Sequence, residues 1–173
     1  MIYMTLDTYY WFFSTTAQVF GALIAILGVF TVYKLQWIQQ SIEWSRKDLV
    51  KHMETFERNV VSRRLDEQLR MATEEIARQE ATNGGHRSLD ELKIITTIIP
   101  KRRQDRTDIT ESFLKLMRLM LLVLATALIS IPFSSFLSHH VFTGCLYFVV
   151  MLIASIIALF STKNFLELAV KRE

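Results

Sequence analysis

LMLLVLATALISIPFSSFLSHHVFTGCLYFVVMLIASIIALFST, residues 119–162, contains no Asp, Glu, Lys or Arg in 44 positions. A hydrocarbon core about 30 Å thick is crossed by roughly 20 apolar residues in a helix. This run is therefore twice the length of one crossing and must double back. The break is legible at Pro132, Ser134 and Ser135, followed by FLSHHVFTG at 136–144. The reading is one span near 114–133 and another near 141–161, joined by a tight turn. Lys115 and Arg118 stand at the entrance of the pair and Lys163 at its exit, where long cationic side chains reach the headgroup level.

A second uncharged run lies near the start, 26 residues over 8–33. At 1.5 Å per residue it extends about 39 Å, enough to cross with some tilt. It does not read as a cleaved signal, because MIYMTLD offers no basic start and the run is too long. Tyr9, Tyr10 and Trp11 mark one interface, and Tyr33 and Trp37 around Lys34 mark the other. The fold class expected is all-α: three transmembrane helices with a long helical hairpin between the first and second. The segments are 1–36, 37–112, 113–162 and 163–173.

Charge sets the expected orientation. Residues 34–118 hold 17 of the 20 Lys and Arg, and the turn at 134–140 holds none. The positive-inside bias then puts the middle segment and the C-terminus in the cytoplasm and the N-terminus outside, as in a bacterial inner (plasma) membrane.

The middle segment has a helical apolar pattern. Ile38, Ile42, Leu49, Met53, Phe56 and Val60 recur at three or four residues, then the series shifts by one place to Val61, Leu65, Leu69, Ala72 and Ile76. No Pro or Gly interrupts 29–83, so the first span is expected to continue as one helix to about residue 80, with a coiled-coil-like stutter. Asn83, Gly84 and Gly85 end it. Ser88 with Glu91 reads as a capping box for a short helix carrying Leu89, Leu92, Ile95 and Ile99. Pro100 stops that helix, and Asp108 with Glu111 opens the next. The stripe on the long helix is covered by a second copy, by a cytoplasmic protein partner, or by the short helix folding back; a homo-oligomer is the economical expectation.

Polar residues in the first span carry the functional question. Ser14, Gln18, Gly21, Ala25 and Gly28 fall on one helical face, and Phe12, Val19, Leu23, Ile26 and Phe30 on another. Small residues on one face permit close helix contact, with Gln bonding across it; the same stripe would also suit a narrow aqueous path. Asp7, just outside the span, either favours the helix N-terminus or forms an acidic collar in a ring of copies. In the second span Thr126, Ser130 and Ser134 repeat every four residues, a pattern expected of back-bonds and packing seams. Lys101, Arg102, Arg103 and Arg106 form the densest basic cluster, read as contact with anionic membrane lipids or as topology determination. Asp105 within the cluster and the absence of interleaved aromatics argue against nucleic acid.

No HExxH, CxxC or glycine-rich phosphate loop is present, and no ionisable residue lies deep within a span. No cofactor or metal is implied, and an enzyme is the least expected class. The single Cys145 excludes an internal disulfide. His139 and His140 in the outer turn have no third ligand nearby in sequence.

Three spans, a large segment after the first and a tight hairpin in the second block resemble in layout the ExbB and TolQ energy-coupling proteins. In that family helices from several copies surround a partner peptide, and polar residues of the hairpin spans face the inner channel. The resemblance makes Thr126 the counterpart of such a residue. The short segment after 162 and the lack of matching glycine-rich stretches depart from the family pattern. The expected function is a homo-oligomeric passive ion pore with a cytoplasmic helical bundle. The alternative is a non-conducting scaffold or an energy-coupling or signalling subunit.

Overall fold

A computed structural model describes residues 6–54, 63–81 and 87–171. Its elements are α1 (Leu6–Glu54), α2 (Leu65–Ala81), α3 (Arg87–His139) and α4 (Val141–Lys171), with no strand among the described residues. Three of the four helices are long and apolar enough to cross a membrane; the best windows of α1, α3 and α4 have mean hydropathies of 1.9, 2.0 and 2.4. The chain divides into two compact units, one of residues 1–33 with 109–173 and one of 34–108.

In the first unit α1, α3 and α4 bury one face each. Tyr9, Phe13, Phe20 and Leu27 of α1 are enclosed with Leu116, Met120, Val123 and Ala127 of α3 and Met151, Ala158 and Phe165 of α4. The outer faces are apolar and bare, with Val29 74% and Phe142 84% exposed. Apolar patches of that extent suit hydrocarbon rather than water as the surrounding medium. At one end the rings of Tyr9, Phe12 and Phe13 meet those of Tyr147 and Phe148, the closest centroids 4.3 Å apart for Phe12 and Phe148. The start of α1 and the corner between α3 and α4 therefore share one end of this unit.

That corner is tighter than the sequence pattern suggests. α3 runs to His139, α4 starts at Val141, and the amides of His140 and Gly144 bond to the carbonyls of Phe136 and His140 at 3.2 and 2.8 Å. Pro132 lies inside α3, and so do Pro100 and Asp108, expected to end one helix and open another. Both prolines are on the exposed side of α3, where a ring and a missing amide disturb no packed face. A proline removes one backbone bond, whereas a helix end leaves four carbonyls or amides unpaired, the dearer option in hydrocarbon. Residues 163–171, read as a tail, continue α4, with Phe165 and Ala169 buried and Lys163 beside Glu167 at 3.7 Å.

The second unit packs α2 and the first turns of α3 against the far half of α1. Ile38, Ile42, Leu49 and Met53 are all but fully buried, facing Ala72 of α2 and Leu89, Leu92 and Ile99 of α3. Of the apolar stripe expected to need a second copy, Ile38, Ile42, Leu49, Met53 and Ala72 are covered within the chain, while Leu65, Leu69 and Ile76 are half-buried. α1 is described to Glu54, and residues 63–64 are not helical, so one helix does not reach residue 80; Phe56, Val60, Val61 and the register shift between the last two lie outside the described residues, as do Asn83, Gly84 and Gly85. Each pair of helices here is tied by polar side chains. Arg46 donates to Gln68 Oε1 at 3.1 Å, Arg106 to Gln39 Oε1 at 2.9 Å, and Lys93 Nζ lies 2.6 Å from Glu80. Hydrogen bonding to Glu80 holds the Lys93 ammonium above its ordinary lysine value. A raised value means the lysine is fully charged at neutral pH, and on the alkaline side the contact fades only above about 10.5.

Gly144 is the most closely packed of the described glycines. A Cβ built there would stand 2.5 Å from the Leu137 carbonyl oxygen and 2.5 Å from the Tyr9 hydroxyl, whereas at Gly21 and Gly28 it would meet nothing within 4 Å. The Tyr9 ring tip can give way; the Leu137 backbone inside α3 cannot. Gly144→Ala is expected to destabilise the protein by about 1–3 kcal/mol, read as a lower Tm in detergent, while Gly21→Ala leaves the monomer's packing undisturbed.

Candidate functional site

α1 presents three arcs in the first unit. Tyr9, Phe13, Thr16, Phe20, Leu27 and Thr31 form the arc packed inside the unit. Trp11, Ile26, Val29 and Tyr33 form a bare apolar arc. At 100° per residue, Ser14, Gln18, Gly21, Ala25 and Gly28 fall between these, roughly a third of a turn from the packed arc. Gln18 and Ala25 are exposed, and Ser14, Gly21 and Gly28 are half-buried. The polar and small stripe is thus left on the surface of the unit rather than used to pack α1 on α3 or α4. Asp7 is exposed in the first turn of α1, where a carboxylate favours the helix dipole.

The hydroxyls of α3 are disposed differently. Thr126 donates to the Leu122 carbonyl at 2.7 Å, Ser130 to that of Thr126 at 2.6 Å and Ser134 to that of Ile131 at 2.7 Å. Ser130 Oγ also stands 2.6 Å from the Tyr147 hydroxyl, which, with Ser130 donating along its own helix, becomes the donor. This ties α3 to α4 in the middle of the apolar segment. A phenol inside a span requires such a partner, and Tyr147 was the residue in the sequence that signalled it. Thr126 and Ser130 thus direct their hydroxyl protons at backbone carbonyls of α3.

The basic cluster is partly consumed by the second unit. Arg103 is paired with Asp66 of α2 and Arg106 with Gln39 of α1, while Lys101 is exposed and Arg102 half-buried. Two of the four cations assigned to lipid are therefore engaged in holding the helices of their own unit together. At the corner, His139 Nδ1 lies 2.9 Å from the Ser135 carbonyl oxygen and the His140 ring rests on Phe136, centroids 4.5 Å apart. Among the described residues no three of His, Cys, Asp and Glu are grouped as a metal site would need.

One buried polar atom stands apart. Thr31, 2% exposed, has its hydroxyl fully enclosed and without a hydrogen-bond partner. Thr162, equally enclosed on α4, donates to the Ala158 carbonyl at 2.9 Å.

No family model matches the chain, and neither does a characterised protein or a solved structure. The likeness to ExbB and TolQ is one of layout alone.

Leaving a buried hydroxyl unpaired costs about 1–3 kcal/mol. Thr31→Val keeps the shape and removes that group, so it is expected to raise stability by about 1 kcal/mol, seen as a higher Tm in detergent. A fall in Tm would mean that the hydroxyl is bonded in the membrane-embedded protein.

Proposed function

We propose that the chain is a membrane-integrated subunit which assembles with copies of itself along the α1 stripe, and that the assembled stripes line a passive path for ions. The observation that carries this reading is Gln18, an exposed amide within the uncharged run 8–33 of α1, on a surface that is mostly apolar there. An amide facing hydrocarbon without a partner costs several kcal/mol, about 4–8 on a scale where nothing can bond it. Water or another chain must therefore meet it. Gly21 and Gly28 leave the approach open, since even an added Cβ would touch nothing there. Asp7, exposed at the start of the same helix, becomes an acidic ring at the mouth of an assembly and favours cations. The charge bias of the middle segment supports a cytoplasmic second unit, as in a bacterial inner membrane. Oligomer contact in this reading rests on α1 within the first unit, because most of the stripe of the second unit is already covered.

A second reading is favoured by a different residue. Trp44 is 66% exposed on the charged second unit, next in sequence to Glu43 and close to Arg46 and Lys47. Trp is enriched among the residues that dominate protein interfaces. It supports a scaffold or energy-coupling subunit that recruits a cytoplasmic partner, the α1 stripe serving assembly only.

Planar-bilayer recording on purified protein, with the oligomer mass measured on the same preparation, separates the two. The pore reading expects discrete currents from a defined oligomer. Gln18→Leu then lowers conductance with assembly intact, and Asp7→Asn weakens cation preference. A silent oligomer that Gly21→Leu dissociates, and whose partner is lost with Trp44→Ala, establishes the scaffold instead.

A further inference from the structure

A cleft of about 370 Å³ opens between α3 and α4, entirely within the first unit. Its volume falls in the range of small-molecule sites, roughly 300–1,000 Å³. On α3 the lining runs from Ser112 and Lys115 to Leu116 and Leu119, and on α4 Ser161 and Asn164 alternate with Phe165 and Leu168. The ring of Phe165 packs on that of Phe113, centroids 5.9 Å apart, which sets α3 and α4 side by side at this level. On α3 the change from polar to apolar lining falls beside Arg118, where the charge-free run begins, and the α4 lining straddles the end of that run before Lys163. In a membrane-inserted chain, that level is the boundary between headgroups and acyl chains.

The cation in the cleft is available. Lys163, across the same boundary, has Glu167 at 3.7 Å. Lys115 is exposed and has no carboxylate partner among the described residues; Ser112 and Asn164 likewise make no side-chain hydrogen bond there. An unpaired ammonium beside a hydroxyl and an amide fits a phosphate oxygen, with charge-assisted bonds stronger than neutral ones. Leu119, half-buried on the membrane side of Lys115, fits the upper methylenes of an acyl chain and has little to offer a free anion.

We infer that this cleft is a binding site for an anionic phospholipid, its phosphate on Lys115 with Ser112 and Asn164, and its acyl chain running past Leu119 toward the membrane interior. The site rests on membrane insertion but is independent of whether the α1 stripe conducts. It also differs from the basic cluster at 101–106, whose Arg103 and Arg106 are bound within the second unit.

The test is native mass spectrometry of the full chain released from nanodiscs holding equal phosphatidylglycerol and phosphatidylcholine. Carbonate extraction of the same expressing membranes reports insertion separately. The expected result is a retained phosphatidylglycerol adduct in preference to phosphatidylcholine. Loss of one charge-assisted contact lowers that retention about tenfold in Lys115→Gln, and Ser112→Glu abolishes it by placing a carboxylate in the cleft. Lys163→Gln, which removes the same charge at the same level but outside the cleft, leaves it unchanged. Equal retention of the two lipids, equal losses in the Lys115 and Lys163 variants, or wild-type retention in both cleft variants overturns the site. So does a Lys115-dependent adduct with the mass of a second chain. A chain that resists carbonate extraction yet retains no phosphatidylglycerol defeats this inference and leaves the membrane reading standing.

Discussion

The requirement that every polar group in hydrocarbon find a partner shapes the first unit throughout. It explains why α3 passes through Pro132 without unwinding, and why α4 begins one residue after α3 ends. It also explains why Thr126, Ser130, Ser134, Ser155 and Thr162 all turn their hydroxyls back to carbonyls of their own helices. Tyr147 meets the requirement across helices, by reaching Ser130. Against that background the exceptions carry the information. Thr31 is enclosed without a partner, and Gln18 faces out of the unit. Both lie on α1, the helix whose stripe remains uncovered.

The second unit follows a different balance. It meets water, so its polar side chains have alternatives, and its surface ion pairs contribute little individually, on the order of 0–1 kcal/mol each. Burial of Ile38, Ile42, Leu49 and Met53 supplies the driving force, and the polar ties mainly fix which helix faces which. Gln68 is the exception, fully buried and accepting from the half-buried Arg46, so the α1–α2 register is held by a part-buried contact. Because this unit covers most of its own stripe, the exposed polar stripe of α1 is left as the argument for self-assembly.

The small residues of the chain divide by function only once the helices are placed. Gly21, Gly28 and Gly144 are equivalent in sequence, single glycines within apolar runs. In space Gly144 lies against Leu137 and Tyr9 with no room for a methyl group, while the other two face open space. A stripe at helical spacing can therefore be read from the sequence, but the surface it meets cannot. The same holds for Lys115 and Lys163, which mark the same boundary from opposite helices. Only the fold shows that one is paired by Glu167 and the other stands over a cleft.

What the sequence by itself determined was the number of long apolar helices and the existence of a charged middle segment. These follow from length, charge and periodicity, which act locally along one chain. The helix ends were less legible: Pro100, Pro132 and Asp108 carry local stop and start signals, yet α3 absorbs all three, because the backbone bonds on either side outweigh one lost at a proline. Only the tertiary structure decided that most of the stripe of the second unit is covered within the chain, that Arg103 and Arg106 are engaged there, and that Ser130 pairs with Tyr147 across two helices. It also decided which arc of α1 is left bare. Each of those outcomes depends on which face of one helix meets which face of another, and that arrangement is set by packing between residues far apart in the chain.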